Sequence, residues 1–245
     1  MSSDESVYRA PESSLARSST GDRRSLDDAI AGRFDFQLGE VLSEAWDLTN
    51  GSKGVILGAI AISLGVNVAT QAVTLLGEAD DSGLLLLLGL AISLAANAVI
   101  YTINGGVFLY AIKRAAGDET ASFDDVLSCF NLILPIFGLM LLSGLLTVLG
   151  FLLLVLPGIY LAVAYLLALP LKVERGLGVW ECLETSRKAI TRKWLKVAAT
   201  TFVTGLAVAL GSILTLGIGA IWLLPFGALV FGILYREIFG YDPSA

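Results

Sequence analysis

The sequence predicts an all-α fold: a polytopic helical membrane protein with about six transmembrane helices, plus interfacial amphipathic helices on the cytoplasmic side. Three observations carry that prediction. The 245 residues are 56% apolar and 16% charged, with a mean hydropathy of +0.78, against roughly 45–50% apolar content in soluble domains. The runs Gly54 to Gly77, Ser82 to Ile112, Asn131 to Leu171 and Val197 to Tyr235 contain no Asp, Glu, Lys or Arg, and each exceeds the ~18 residues that mark a spanning helix. All 16 Lys and Arg residues fall in segments that six crossings place on one side of a membrane, the pattern of the positive-inside rule.

Residues 1–33 hold eight serines, mixed with acids and arginines. Such a stretch buries too little apolar surface to offset its ordering entropy, so a disordered cytoplasmic tail is expected. It has no apolar core or cleavage site of a secretory signal, and is expected to be retained. The helical membrane domain then runs over 34–241. Between Phe36 and Thr49, Leu38, Val41, Leu42, Ala45 and Leu48 recur at helical spacing among Glu40, Ser43, Glu44 and Asp47, which reads as an amphipathic helix with Trp46 in the interface. Asn50, Gly51, Ser52 and Gly54 are expected to end it.

Six spans follow, near 54–77, 82–112, 131–154, 155–173, 197–215 and 218–236. The last two divide at the glycines around Thr215 to Gly219. The third and fourth divide less cleanly. Pro157-Gly158 is the strongest turn signal, but a turn near Gly150, with Pro157 as a kink, balances the lengths better. A re-entrant hairpin over 131–171 satisfies the same charge count. Opposite the cations lie Glu78, Asp80, Asp81 and two turns without charge, so both termini are expected in the cytoplasm.

There is no histidine, and Cys129 and Cys182 are the only cysteines. Neither a four-ligand zinc site nor a Cys/His or Ser/His nucleophile pair can be assembled, so no catalytic residue, metal or cofactor is expected. Both thiols fall on the reducing side and are expected to be unpaired and inert. The net charge of −6 says little about partners, because ten of the 22 acids lie in the tail and the first amphipathic helix. With no ionisable residue inside the uncharged runs, proton-coupled transport lacks its usual relay.

Polar residues within the runs include Asn67 and Gln71 in the first span and Asn97, Tyr101 and Asn104 in the second. Gly89, Ser93, Asn97, Tyr101 and Gly105 stand four apart, along one stripe. The favoured reading is packing, since side-chain amides hydrogen-bond between membrane helices and small residues allow close approach. Gly54, Gly58, Ala61, Gly65 and Ala69 offer the same in the first span, where a homodimer could form. A path for a small solute is the alternative.

Between Lys172 and Lys196, Trp180, Leu183, Ile190 and Trp194 alternate with Arg187, Lys188, Arg192, Lys193 and Lys196, the composition of an interfacial helix. Contact with anionic lipid headgroups or another membrane protein is the functional reading, and fixing topology is the bland one. Nucleic acid is excluded as a partner because the patch abuts a span. Glu174, Glu181 and Glu184 are expected to be solvated ion pairs rather than acid/base groups.

The string Leu156-Pro157-Gly158-Ile159-Tyr160, then Pro170, Glu174, Gly176, Trp180-Glu181 and Ser186, resembles the YciC-like uncharacterised bacterial inner-membrane proteins. It also resembles the membrane domain that accompanies some glycerophosphodiester phosphodiesterases. Gly105-Gly106, Lys113-Arg114-Ala115 and Phe123 add to the likeness, which spans Phe36 to Tyr241, and the short string Tyr8-Arg9-Ala10-Pro11 near the start adds to it separately. Cys182 departs from it, standing where alanine is more usual. The resemblance implies a helical bundle in a bacterial inner membrane. It supplies no activity, and the phosphodiesterase chemistry does not carry over to a sequence without that soluble domain. The expected role is therefore non-enzymatic, supporting envelope or membrane organisation through lipid or membrane-protein contacts. A channel or transporter for a small solute or lipid, not proton-coupled, is the alternative.

Overall fold

The computed structural model describes residues 25–78 and 83–242. Within them the chain is helical, with no strand. In order come α1 (Leu26–Ile30), α2 (Leu38–Glu78), α3 (Gly83–Ala115), α4 (Asp124–Ser128) and α5 (Ile133–Leu153). They are followed by α6 (Val155–Ala164), α7 (Ala168–Arg175), α8 (Val179–Arg192), α9 (Trp194–Leu214) and α10 (Ala220–Phe239). Six segments are long and apolar enough to cross a membrane: Leu38–Leu75, Leu87–Ala115, Asp124–Leu153, Val155–Arg175, Trp194–Leu214 and Ala220–Phe239. The chain is an all-α, multi-pass membrane protein. Most of the expected tail lies outside the described residues. Residues 25–33 do not follow the expectation of disorder: α1 forms there, its Asp28 N–H capped by the Ser25 hydroxyl at 3.2 Å, with Ala29 fully buried.

The amphipathic helix and the first span are one continuous helix, so the break expected at Asn50 to Gly54 is absent. Glycines in a helix cost about 1 kcal/mol each, but here they have tertiary work. A Cβ on Gly51 would lie 2.8 Å from Nη2 of Arg114, so the missing side chain admits that guanidinium. The hydroxyls of Thr49 and Ser52 donate back to the Ala45 and Leu48 carbonyls at 2.8 and 3.0 Å. Trp46 meets Phe226 of α10 edge-on, with centroids 6.0 Å apart.

The third and fourth spans part at one extended residue, Leu154 (φ −164, ψ 150), rather than at Gly150 or Pro157. Pro157 stands in the first turn of α6, where its missing N–H leaves no bond unmade. Gly150 and Gly158 face each other across the hairpin, where a Cβ on Gly150 would lie 3.1 Å from the Gly158 Cα. The fourth span is itself interrupted at 165–167, dividing α6 from α7. Gly176, left-handed at φ 64, closes α7 with its N–H on the Lys172 carbonyl. The turn between α9 and α10 falls at 215–219 as expected, with Gly217 at φ 89.

Helices α2, α3 and α10 pack as a trio, α5 and α6 as a hairpin against α3 and α8, and α9 against α10. The core lies towards the cation-bearing ends of these helices, where Ile56, Tyr110, Ile136, Leu171, Leu229, Ile233 and Tyr235 are fully buried. The opposite stretches are different: no residue is buried in 61–75, 87–95 or 205–214. Lipid or a partner must solvate those halves.

Candidate functional site

The basic segment folds as α8 and the start of α9, with Cys182, Leu183, Ala189 and Ile190 turned inwards. The Ser186 hydroxyl donates to the Ala164 carbonyl at 2.7 Å, fixing α8 on α6. Several cations of the expected lipid-facing patch are engaged by the chain itself. Arg192 Nε donates to the Ile30 carbonyl at 3.3 Å. Lys193 donates to the Phe34 carbonyl and, at 3.0 Å, to Asp35. Lys196 reaches the same carboxylate at 2.6 Å. Lys193 and Lys196 also lie over the Phe34 and Phe36 rings, at 5.2 and 5.0 Å from the centroids. Hydrogen bonds from Lys196, then Lys193, hold the Asp35 carboxyl well below the usual carboxylate range. Residues 25–36 are thus a strap over this part of the patch. Sequence spacing could not reveal it, because Asp35 and Lys193 are 158 positions apart.

Arg187 and Lys188 lie beyond the strap. Arg187 forks onto Glu184 through Nε (2.9 Å) and Nη2 (2.8 Å), and Lys188 approaches the same carboxylate at 3.4 Å. Bonds from Arg187 lower the Glu184 pKa, and Glu184, then the neighbouring Tyr160 hydroxyl, raise that of Arg187. Tyr160 and Thr191 share a hydroxyl hydrogen bond of 2.6 Å. Trp194 stacks on Tyr160 with centroids 6.4 Å apart and donates from Nε1 to its carbonyl at 3.3 Å. Trp180 is exposed and belongs to neither cluster. Beside Trp194 opens an apolar groove of about 510 Å³, lined by Ile159 and Val163 of α6 and Ala198, Ala199 and Phe202 of α9.

A second place of interest lies between α2 and α3. Asn67, Gln71 and Asn97 line a polar cleft of about 280 Å³ together with Thr70, Thr74 and Ser93. Asn97 donates its amide to the Ser93 carbonyl at 2.8 Å, and the Thr70 and Thr74 hydroxyls donate back along α2 to Val66 and Thr70. Asn67, Gln71 and Asn97 are exposed. The expected stripe is split: Tyr101 is half-buried, Asn104 is exposed, and neither lines the cleft. The small residues of α2 divide likewise, with Gly58 facing the Phe123 ring at 3.5 Å and Gly65 facing open space.

Sequence reasoning missed a buried polar network. Glu174 is 6% exposed and is not a solvated ion pair. It accepts from the Tyr235 hydroxyl at 2.6 Å, Arg175 Nε at 3.0 Å and the Asp242 N–H at 3.0 Å. Arg175 also donates to the Phe239 carbonyl at 2.7 Å. Arg236 holds Glu44 through both Nη atoms, at 2.7 and 2.9 Å, and donates to the Ala115 carbonyl. The sequence signal was a single glutamate beside Lys172 and Arg175 at the end of an otherwise apolar run. These bonds fasten α10 to α2, α3 and α7, and nothing nucleophilic joins them. Cys182 is fully buried, and burial pushes its thiol up to about 11.

No family model, curated protein or solved structure matches the chain. The residues that carry the family resemblance have packing duties that need no shared activity. A Cβ on Gly106 would lie 2.4 Å from the Val126 Cα, Ser186 ties α8 to α6, and Gly176 ends α7.

Proposed function

We propose that this is a non-enzymatic protein of a bacterial inner membrane, both termini cytoplasmic, that supports membrane organisation through lateral contacts with lipids and other membrane proteins, a second copy among them. The resemblance to YciC-like proteins supports the compartment, and the one-sided cations support the orientation. The observation that carries the contact reading is the outward-facing amide cleft of α2 and α3. A side-chain amide offers two donors and two acceptor lone pairs. In Asn67 and Gln71 these find no hydrogen-bond partner among the described residues. Unpaired polar groups are costly in hydrocarbon, and amides on a neighbouring helix satisfy them reciprocally.

The polar lining of the cleft also favours a second reading, passage of a small uncharged solute. One set of variants separates the two. Val68→Cys in native membranes is expected to form a disulfide-linked dimer under mild oxidation. Asn67→Leu with Asn97→Leu should abolish that species while the protein still accumulates. An unchanged cross-link, together with loss of solute flux in proteoliposomes, would replace contact by transport.

A further inference from the structure

The apolar groove between α6 and α9 is bounded at one end by a polar, cationic edge. Trp194 lines the groove, and its ring stacks on Tyr160. The Thr191 hydroxyl donates to the Arg187 carbonyl and accepts from the Tyr160 hydroxyl at 2.6 Å, which orients this edge beside Arg187. Arg187 and Lys188 share a single carboxylate, that of Glu184. The surrounding cations Arg187, Lys188, Arg192, Lys193 and Lys196 have two carboxylates among them, Glu184 and Asp35. Each of these carboxylates serves two cations, and Arg192 meets only a carbonyl, so the paired cluster stays cationic. An apolar trough that ends in a Trp and Tyr pair and in arginine and lysine charge only partly compensated by carboxylates has the two-part chemistry of a glycerophospholipid: acyl chain, then phosphate. Its volume lies within the ~300–1,000 Å³ of ordinary ligand sites.

We propose that this groove binds one anionic glycerophospholipid, its acyl chain against Ile159, Val163, Ala199 and Phe202 and its phosphate against Arg187 and Lys188. The strap of residues 25–36 explains why the site falls there. Lys193 and Lys196 are held by Asp35, and Arg192 by Ile30, which leaves Arg187 and Lys188 as the cations turned to a headgroup. The excess positive charge selects an anionic lipid over a zwitterionic one. The proposal rests on the lateral-contact reading and gives it a lipid class.

The test uses the full chain, delipidated in mild detergent and offered phosphatidylglycerol or phosphatidylcholine with the same acyl chains, with one-to-one adducts read by native mass spectrometry. The wild type is expected to retain phosphatidylglycerol in preference. Arg187→Gln should lower that adduct about fivefold, the worth of one interfacial charge, without changing the phosphatidylcholine adduct. Lys188→Gln reports the same direction should Arg187→Gln fail to accumulate. Ala199→Trp fills the trough and should reduce both adducts. Asn67→Leu with Asn97→Leu should leave both unchanged, so the lipid site and the amide cleft fail separately. Equal retention of the two lipids by the wild type, or a phosphatidylglycerol adduct indifferent to both the headgroup and the trough variants, overturns the proposal.

Discussion

Replacing Gly106 by alanine tests the packing of α4 on α3 with a single methyl group. The new carbon would sit 2.4 Å from the Val126 Cα, 2.6 Å from its carbonyl oxygen and 2.9 Å from its carbonyl carbon. Carbon atoms rest at about 3.5–4.0 Å, so α4 must move away by on the order of 1 Å. All three contacts are backbone, and no side chain can rotate to relieve them. The movement would also strain the Lys113–Asp125 ion pair, which fastens α3 to α4. Overpacking of this kind costs about 1–3 kcal/mol, and the better helix propensity of alanine returns up to ~1 kcal/mol. The net loss of roughly 1–2 kcal/mol corresponds to a fall of about 2–8 °C in a chain of this size. Gly205→Ala is the matched control, because nothing lies within 4 Å of its Cβ position, and it should hold or gain stability. Thermal unfolding in detergent, followed by fluorescence-detected size exclusion, reads both. If Gly106→Ala melts at or above Gly205→Ala, the close approach of α4 to α3 is refuted.

Other consequences are equally direct. Tyr235→Phe removes one of the bonds to a buried carboxylate and should cost about 1–3 kcal/mol in the same assay; an unchanged melting temperature would show that Glu174 is not held as described. Asp35→Asn should free the strap, seen as faster hydrogen exchange over Ala29 to Phe36 with α10 unaffected. Because the folded Asp35 pKa is depressed, its contribution is present above the ordinary carboxylate pKa and is lost only as pH falls through the lower folded value. Strap exchange should therefore be flat from neutral to mildly acidic pH and rise only in stronger acid, and a rise near pH 7 would contradict the pairing. Cys182, buried and with its thiol raised to about 11, should resist maleimide at neutral pH until the protein is denatured; rapid labelling of the folded protein would place α8 elsewhere.

The spans were legible because a bilayer imposes a one-dimensional rule: enough residues without charge, with cations gathered on one side. The turn at Thr215 to Gly219 was legible because glycine permits what other residues resist at φ 89. The break forecast at Asn50 to Gly54 failed because local propensity was outweighed by a distant partner, Arg114, which needs the space a glycine leaves. The candidate patch is cationic as its composition says, but the engagement of Lys193 by Asp35 and of Arg192 by the Ile30 carbonyl joins residues far apart in sequence that meet only after folding. Asn67, Gln71 and Asn97 do share a cleft, and helical spacing within each span allowed that. The pairing register that separates them from Asn104 was not encoded in either helix alone.

The placement of the bonds to α10 bears on how the chain is made. Glu44, the Ala115 carbonyl and Glu174 all find partners on the last helix, through Arg236 and Tyr235. A ribosome delivers α10 only after α1 to α9 have emerged. Until then the nascent chain holds α2 and α3 with polar groups unpaired and the faces around Ile56 and Tyr110 uncovered. Docking of α10 is therefore a closing step for these contacts: the earlier hairpins wait with them unmade, and α10 completes all three at once.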